Sequence, residues 1–261
     1  LIFASDMTNL FYLDPDPKGQ PAVLLLHGLG ADGSSWQMQF PALIEAGFRP
    51  VAPDTPGFGR SPSVGKWSIH KAASQLSNLL DEIGVISVHV VGLSLGGTIA
   101  LQFALDYPER VRKLVLANTF AHLRPEKWNQ WIYFLQRLVL VHTIGLEAQA
   151  KVVAQRIFPL PEQELPRLAL VGSISNANPQ AYRAAMRSLA TFNVVSRLAE
   201  IRKPTLVMTG ERDTTVSHKN QRVLVDQIAG ARQVMIPRAG HAASVDNYEV
   251  FNRALIEFLL D

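Results

Sequence analysis

The chain has 261 residues, of which 48% are hydrophobic and 18% charged, with a formal net charge of +3. That length holds one large α/β domain, or a domain with an inserted subdomain, at the composition of an ordinary soluble globular protein. The cationic excess is scattered, with no Lys/Arg run beyond two, so no nucleic-acid partner is expected; without cysteine there are no disulfides, thiolate metal sites or cysteine nucleophile; and no apolar stretch reaches membrane-spanning length.

Residues 1–13 read as one or two strands, closed by the turn-rich DPDPKGQP. AVLLLHG follows, an unbroken apolar run between Pro21 and Gly28, as in a parallel strand covered on both faces. A helix is predicted around Ser34 to Ala46, then a strand and turn in RPVAPDTPG, and a helix from Ile69 to Ile83. SVHVVG is a strand, Leu95 to Leu105 a helix and KLVLANT a strand. This alternation with short connections is the signature of a doubly wound, mostly parallel sheet.

The alternation stops at Asn118. From Phe120 to about Ile201 the chain reads as all-helical, with Trp128, Trp131, Leu135 and Leu138 at helical spacing and Pro159, Pro161 and Pro166 as breaks. PTLVMTG restores a strand, HKNQRVLVDQIAG a helix, RQVMIP a strand, and Val245 to Leu260 a last helix. We expect a core of residues 1–119 and 202–261, with 120–201 as a helical cap inserted after the sixth strand. A cytoplasmic location is expected, although a removed leader would leave no trace in a chain that begins at Leu1.

Gly92-Leu93-Ser94-Leu95-Gly96 falls at the junction of a strand and a helix. A sharp turn there holds a serine in strained geometry and projects its hydroxyl. Side chains two positions before and after would collide, which calls for glycine. The following helix begins at this turn, so its free N–H groups and positive dipole end lie near the hydroxyl.

Four further stretches accompany it: HGLG (His27 to Gly30), DTPGFGRS (Asp54 to Ser61), GERDTTV (Gly210 to Val216) and AGHAASVD (Ala239 to Asp246). With GLSLGG in this order, the chain resembles the α/β-hydrolase fold family along essentially its whole length. The resemblance implies a Ser…Asp…His order, met by Ser94 as nucleophile, Asp213 as acid and His241 as base. It implies an oxyanion hole from the N–H groups of Leu29 and Leu95. Asp213 and His241 both follow strand ends, the edge where such sheets collect catalytic groups. Of the other histidines, His27 braces the HG loop, His89 is a satisfied core residue, and His70, His122, His142 and His218 have no reason to converge on Ser94. Glu211 is the nearest rival acid; Asp246 reads as a helix-start residue and Asp54 as a stabiliser of its own turn.

The activity implied is serine hydrolysis of a small-molecule carboxylic ester through an acyl-enzyme, without metal or organic cofactor. Aspartate-nucleophile dehalogenases and epoxide hydrolases are excluded by Ser94. Carbon–carbon bond hydrolases often carry Asn where Leu93 stands, and perhydrolases Pro where Leu29 stands. Enol-lactonases share every motif, and a ligand-gated signalling protein with a retained triad is a different class; turnover on simple esters without a partner discriminates against the latter. Phe120, Leu123, Trp128, Trp131, Tyr133, Phe134, Leu138 and Phe158 make the insertion apolar, most of them packing its helices together. An uncharged pocket for short-to-medium acyl groups follows, with Trp36 and Phe120 as lining residues.

Overall fold

A computed structural model describes residues 9–63, 65–124 and 128–261. Its strands are β1 (Tyr12–Leu13), β2 (Ala22–Leu26), β3 (Arg49–Pro53), β4 (Val88–Leu93), β5 (Val111–Ala117), β6 (Thr205–Gly210) and β7 (Arg232–Ile236). They form one sheet in the order β1-β3-β2-β4-β5-β6-β7, parallel except for β1, which runs antiparallel to β3. A strand expected within residues 1–8 lies outside the described residues, so the strand counted sixth in the sequence is β5.

The apolar runs are strands because both faces of the sheet are covered. Ala22, Leu24 and Leu26 of β2 enter one core cluster, while Val23 and Leu25 enter the other. In β4, Val88 and Val90 face the first cluster and Val91 the second. The first face is covered by α2 (Ile69–Glu82), α3 (Leu95–Asp106) and α8 (His218–Gln227); the second by α1 (Phe40–Glu45) and α10 (Tyr248–Leu260). Helix α2 starts where the Ser68 hydroxyl accepts the Lys71 N–H at 3.1 Å, and buries Ala72, Ala73, Leu76, Leu79 and Leu80. Each fully buried Leu or Val contributes about 1.5–3 kcal/mol.

Between β5 and β6 run α4 (Trp128–Thr143), α5 (Leu146–Ile157), α6 (Glu164–Asn176) and α7 (Pro179–Thr191), as the all-helical reading predicts. One antiparallel bridge, His122 to Asn193, closes the base of this insertion. Pro166 does not end a helix; it sits in the first turn of α6, where no intrahelical N–H is needed. Two predicted helices are divided. The first becomes a 3-10 turn at Gly33–Trp36, capped by Asp32, followed by α1 with Pro41 near its start. The last is split at the non-helical Asn247 into α9 (Ala243–Asp246) and α10. Among the described residues no helix is long and apolar enough to cross a membrane.

Strand β3 lies on one side of β2 and β4 on the other. Chain direction across the sheet therefore reverses at β2, and a crevice opens between the carboxyl ends of β2 and β4. HGLG leaves the first of these ends and Ser94 the second.

Candidate active site

Ser94 occupies the single position between β4 and α3, at φ 56° and ψ −113°. A non-glycine residue there costs about 1–3 kcal/mol and persists only where its surroundings hold it. Here they do: the Ser94 N–H donates to Ala117 O at 3.0 Å. The Ser94 carbonyl accepts the Thr98 N–H at 3.1 Å and the Thr119 hydroxyl at 2.7 Å. A Cβ on Gly92 would collide with the Gly96 carbonyl, and one on Gly96 with the Leu26 carbonyl. Gly97 is equally constrained, since its Cβ would lie 2.5 Å from the Thr119 side chain. Leu95 opens α3, so its N–H has no intrahelical acceptor and lies beside Ser94.

The facing loop is fixed by two buried polar side chains. His27 Nε2 accepts the Thr55 N–H at 2.9 Å, which leaves Nδ1 to donate to Gly28 O at 2.9 Å. That tautomer is neutral, and burial holds the His27 pKa below its ordinary value. His27 braces the HG loop as expected, and ties it to the turn after β3. Asp54 accepts the Arg60 N–H of its own turn and the Gly33 N–H beyond the HG loop, both at 2.7 Å. Gly30 takes φ 81°, and Leu29 faces the crevice.

Asp213, in the loop after β6, is buried and accepts from Thr215 N at 2.8 Å, Val216 N at 3.1 Å and Gln221 Nε2 at 3.3 Å. His241, after β7, places Nδ1 at 3.0 Å from Asp213 Oδ2. A carboxylate at that distance accepts the Nδ1 proton, which leaves Nε2 as an acceptor. His241 and Ser94 line one cavity.

Sequence reasoning missed what aligns these loops. Asn118 donates from Nδ2 to Gly240 O at 3.0 Å and His241 O at 2.8 Å, and accepts the Gly210 N–H at 2.7 Å. One amide thus joins the ends of β5 and β6 to the histidine loop. Asp246 is not a helix-start residue: it ends α9 and turns back to accept the Gly240 N–H at 2.8 Å and Gln163 Nε2 at 2.6 Å. Burial raises its carboxyl pKa. Glu211 is outside the pair, accepting the exposed Arg238 N–H.

The remaining histidines point elsewhere. His70 meets Asp106, His122 the Phe192 carbonyl, His142 Leu138 O and His218 Gly210 O. His89 is buried against Phe48, but it is not fully satisfied, since its Nδ1 has no partner. Burial, with Arg112 and Lys113 nearby, pushes its pKa down to about 4.

The cavity measures about 970 Å³, the upper end for a small-molecule site, and its wall is mainly apolar. Trp36 and Phe120 line it, as do Leu123 and Phe158. The aromatic packing expected of α4 differs. Trp128, Trp131, Leu135 and Leu138 are 81%, 55%, 62% and 46% exposed, and the last three form the cavity's rim. The Phe134 side chain lies outside the described residues. Nor is the lining uncharged: Arg137, Arg187 and Asp32 belong to it. Among the described residues no three His, Asp or Glu side chains gather as a metal site.

A protein of Variovorax paradoxus strain S110 named "Putative carbamate hydrolase RutD" is 35% identical over 259 residues, 96% of each chain. A 2-hydroxy-6-oxo-6-phenylhexa-2,4-dienoate hydrolase of Burkholderia cepacia is 29% identical, over 91% of this chain and 87% of its own. The crystal structure of the enol-lactonase from Burkholderia xenovorans LB400 superposes with a TM-score of 0.87 at 27% identity, covering 97% of this chain and 96% of that one. The family model of the alpha/beta hydrolase fold matches residues 21–248, and the chain belongs to that family.

Proposed function

We propose that the chain is a serine hydrolase that cleaves a carboxylic ester of a short-to-medium acyl group, taken up against a mainly apolar wall, through an acyl-enzyme. The observation that carries this reading is that His241, paired with Asp213 at 3.0 Å, lines the same cavity as Ser94. A serine hydroxyl is a weak nucleophile until a base takes its proton. His241 Nε2, unprotonated while Nδ1 donates to Asp213, is that base. Ser94 attacks the acyl carbon, and the N–H groups of Leu29 and Leu95 hold the oxyanion. His241 returns the proton to the leaving alcohol, and water, activated the same way, releases the acid. Each oxyanion donor supplies about 3 kcal/mol in the transition state.

Residues 120–201 act as a cap in this reading. Support comes from Phe120, Leu123, Phe158 and the α4 rim, which all border the cavity. The restriction to uncharged substrates is dropped because Arg137 stands in the lining. Enol-lactone or carbon–carbon bond hydrolysis is a second reading, favoured by the relatives so named, with Leu93 before the serine weighing against the latter.

The test is Ser94→Ala against p-nitrophenyl butyrate, with a fluorophosphonate label mapped by mass spectrometry. The variant loses turnover while keeping its melting temperature, and the label falls on Ser94 alone. Wild-type turnover by Ser94→Ala refutes the assignment.

A further inference from the structure

Arg137 is a charged cavity residue with no part in that reaction. Arg137 projects from α4 into the cavity lining. Its Nη2 donates to the Tyr182 hydroxyl at 3.1 Å, while its Nε is buried without a partner. Tyr182 is fully buried, with its ring against Gly30, next to Leu29. A rigid phenol thus anchors the guanidinium within one side chain's length of the HG loop. On α5, Arg156 lies 4.2 Å over the Tyr133 ring, and Arg137 is 5.6 Å from the same ring. The Nε of Arg156 is also buried without a partner. Among the described residues no carboxylate lies within ion-pair distance of either arginine.

Burying a guanidinium without a counter-charge is costly, and proteins pair such groups. Hydroxyls and aromatic faces satisfy donors and attract the cation, but they do not neutralise it. Of the two guanidiniums beside the Tyr133 ring, Arg137 lines the cavity, whose mainly apolar wall also carries Arg187 and Asp32. An arginine fork fits a carboxylate with two parallel hydrogen bonds, and a spare Nε–H is one arm of such a fork.

We propose that Arg137 is the anion-recognition residue of the cavity, and that the substrate is an acyl compound bearing a carboxylate at the end remote from its scissile bond. This rests on the reading of Ser94 as nucleophile. The apolar wall takes the hydrocarbon between the two ends. The Burkholderia cepacia relative is named for a dienoate, a carboxylate of this general kind. Arg137 binds and does not react, so its loss acts through KM more than through kcat.

The experiment compares mono-(4-nitrophenyl) suberate, which carries a terminal carboxylate, with its neutral methyl ester. Wild type, Arg137→Leu and Arg137→Lys are assayed for kcat/KM on both, with melting temperatures as a control. Wild type is expected to favour the anionic ester by at least about tenfold, the scale of a desolvated charge-assisted pair. Arg137→Leu abolishes that preference through KM, and Arg137→Lys keeps part of it; should the leucine variant not fold, Arg137→Gln carries the comparison. No anionic preference in wild type, or an equal loss on both esters with a lowered melting temperature, overturns the proposal and leaves Arg137 a structural residue. If wild type hydrolyses neither ester, the serine-esterase reading fails, and calorimetry with octanoate and octanamide decides on the arginine alone. Octanoate binding that is lost in Arg137→Leu upholds the anion site; no octanoate binding, or equal binding of the amide, overturns it.

Discussion

Asp213→Asn keeps the side chain's shape and turns one carboxylate oxygen into a donor, and the neighbours decide which one. Oδ1 accepts the Thr215 and Val216 N–H groups at 2.8 and 3.1 Å. Oδ2 faces His241 Nδ1 at 3.0 Å, closer than Oδ1 at 3.2 Å, and Gln221 Nε2 at 3.3 Å. The backbone donors cannot rotate away, so the amide oxygen stays with them and the NH2 turns toward His241. Nδ1 then accepts, which moves the imidazole proton to Nε2, the atom that receives the Ser94 proton in the proposed reaction. In a serine-protease triad the equivalent change lowers kcat about 10⁴-fold by this route, and a loss of that order is expected here. The fold loses far less. The two backbone bonds survive, and the buried Oε1 of Gln221, without a partner, can turn to accept from the new amide. A net cost of about 1–2 kcal/mol follows, at about 2–4 °C per kcal/mol in a domain of this size. The assay is kcat on p-nitrophenyl butyrate beside thermal melting by circular dichroism. A variant within tenfold of wild-type kcat refutes the tautomer argument. If Glu211→Gln does the damage instead, the acid is misassigned.

Asp246→Ala leaves the Gly240 N–H unpartnered one residue before His241, at a cost of about 1–3 kcal/mol, and lowers kcat more than it raises KM. Asp246→Asn keeps an acceptor and retains most activity. Burial raises the Asp246 pKa, so this group's contribution to stability is greatest in acid and is lost as pH rises through the raised pKa. The Asn variant therefore gains on wild type in melting temperature from pH 4 to pH 8; an unchanged difference refutes this. His89 has the opposite slope. Its pKa of about 4 lies below the ordinary 6.5, so the unfolded chain binds the extra proton and stability falls as pH drops from about 6.5 to 4. His89→Val should flatten that decline in a melting series, and parallel curves for the two proteins would exclude His89 as its source.

The sheet was legible because each central strand is buried on both faces, which leaves an unbroken apolar run between turn residues. The elbow was legible for a local reason: Gly92 and Gly96 are demanded by backbone approaches within a few residues or to the adjoining strand. Helix ends were less so. The break at Asn247 depends on its side chain donating to Pro237 O at 2.9 Å, a contact between segments that sequence periodicity does not register. Asn118 shows the same limit. In the sequence it marks the point where the alternation stops, while its use is that of a neutral amide joining loops 92 and 122 residues away.

Helix α4 shows why the pocket's chemistry was misread while its helix was not. Trp128, Trp131, Leu135 and Leu138 give the 3.6-residue period, and hydrophobicity assigns that stripe to the interior. The assignment assumes that a helix has one core to face. Helix α4 has a cavity instead, and the stripe ends up exposed or at the rim. The inward face follows a second spacing: Tyr133 and Arg137 border the cavity, and Val141 is fully buried one turn further on. A charge at the centre of that stripe looks, from sequence, like a marker of the solvent side. Only the position of Tyr182, 45 residues on, turns it into a lining group. An apolar period therefore locates the rim of the cavity, while the charged lining of α4 lies where the period breaks, on the opposite face.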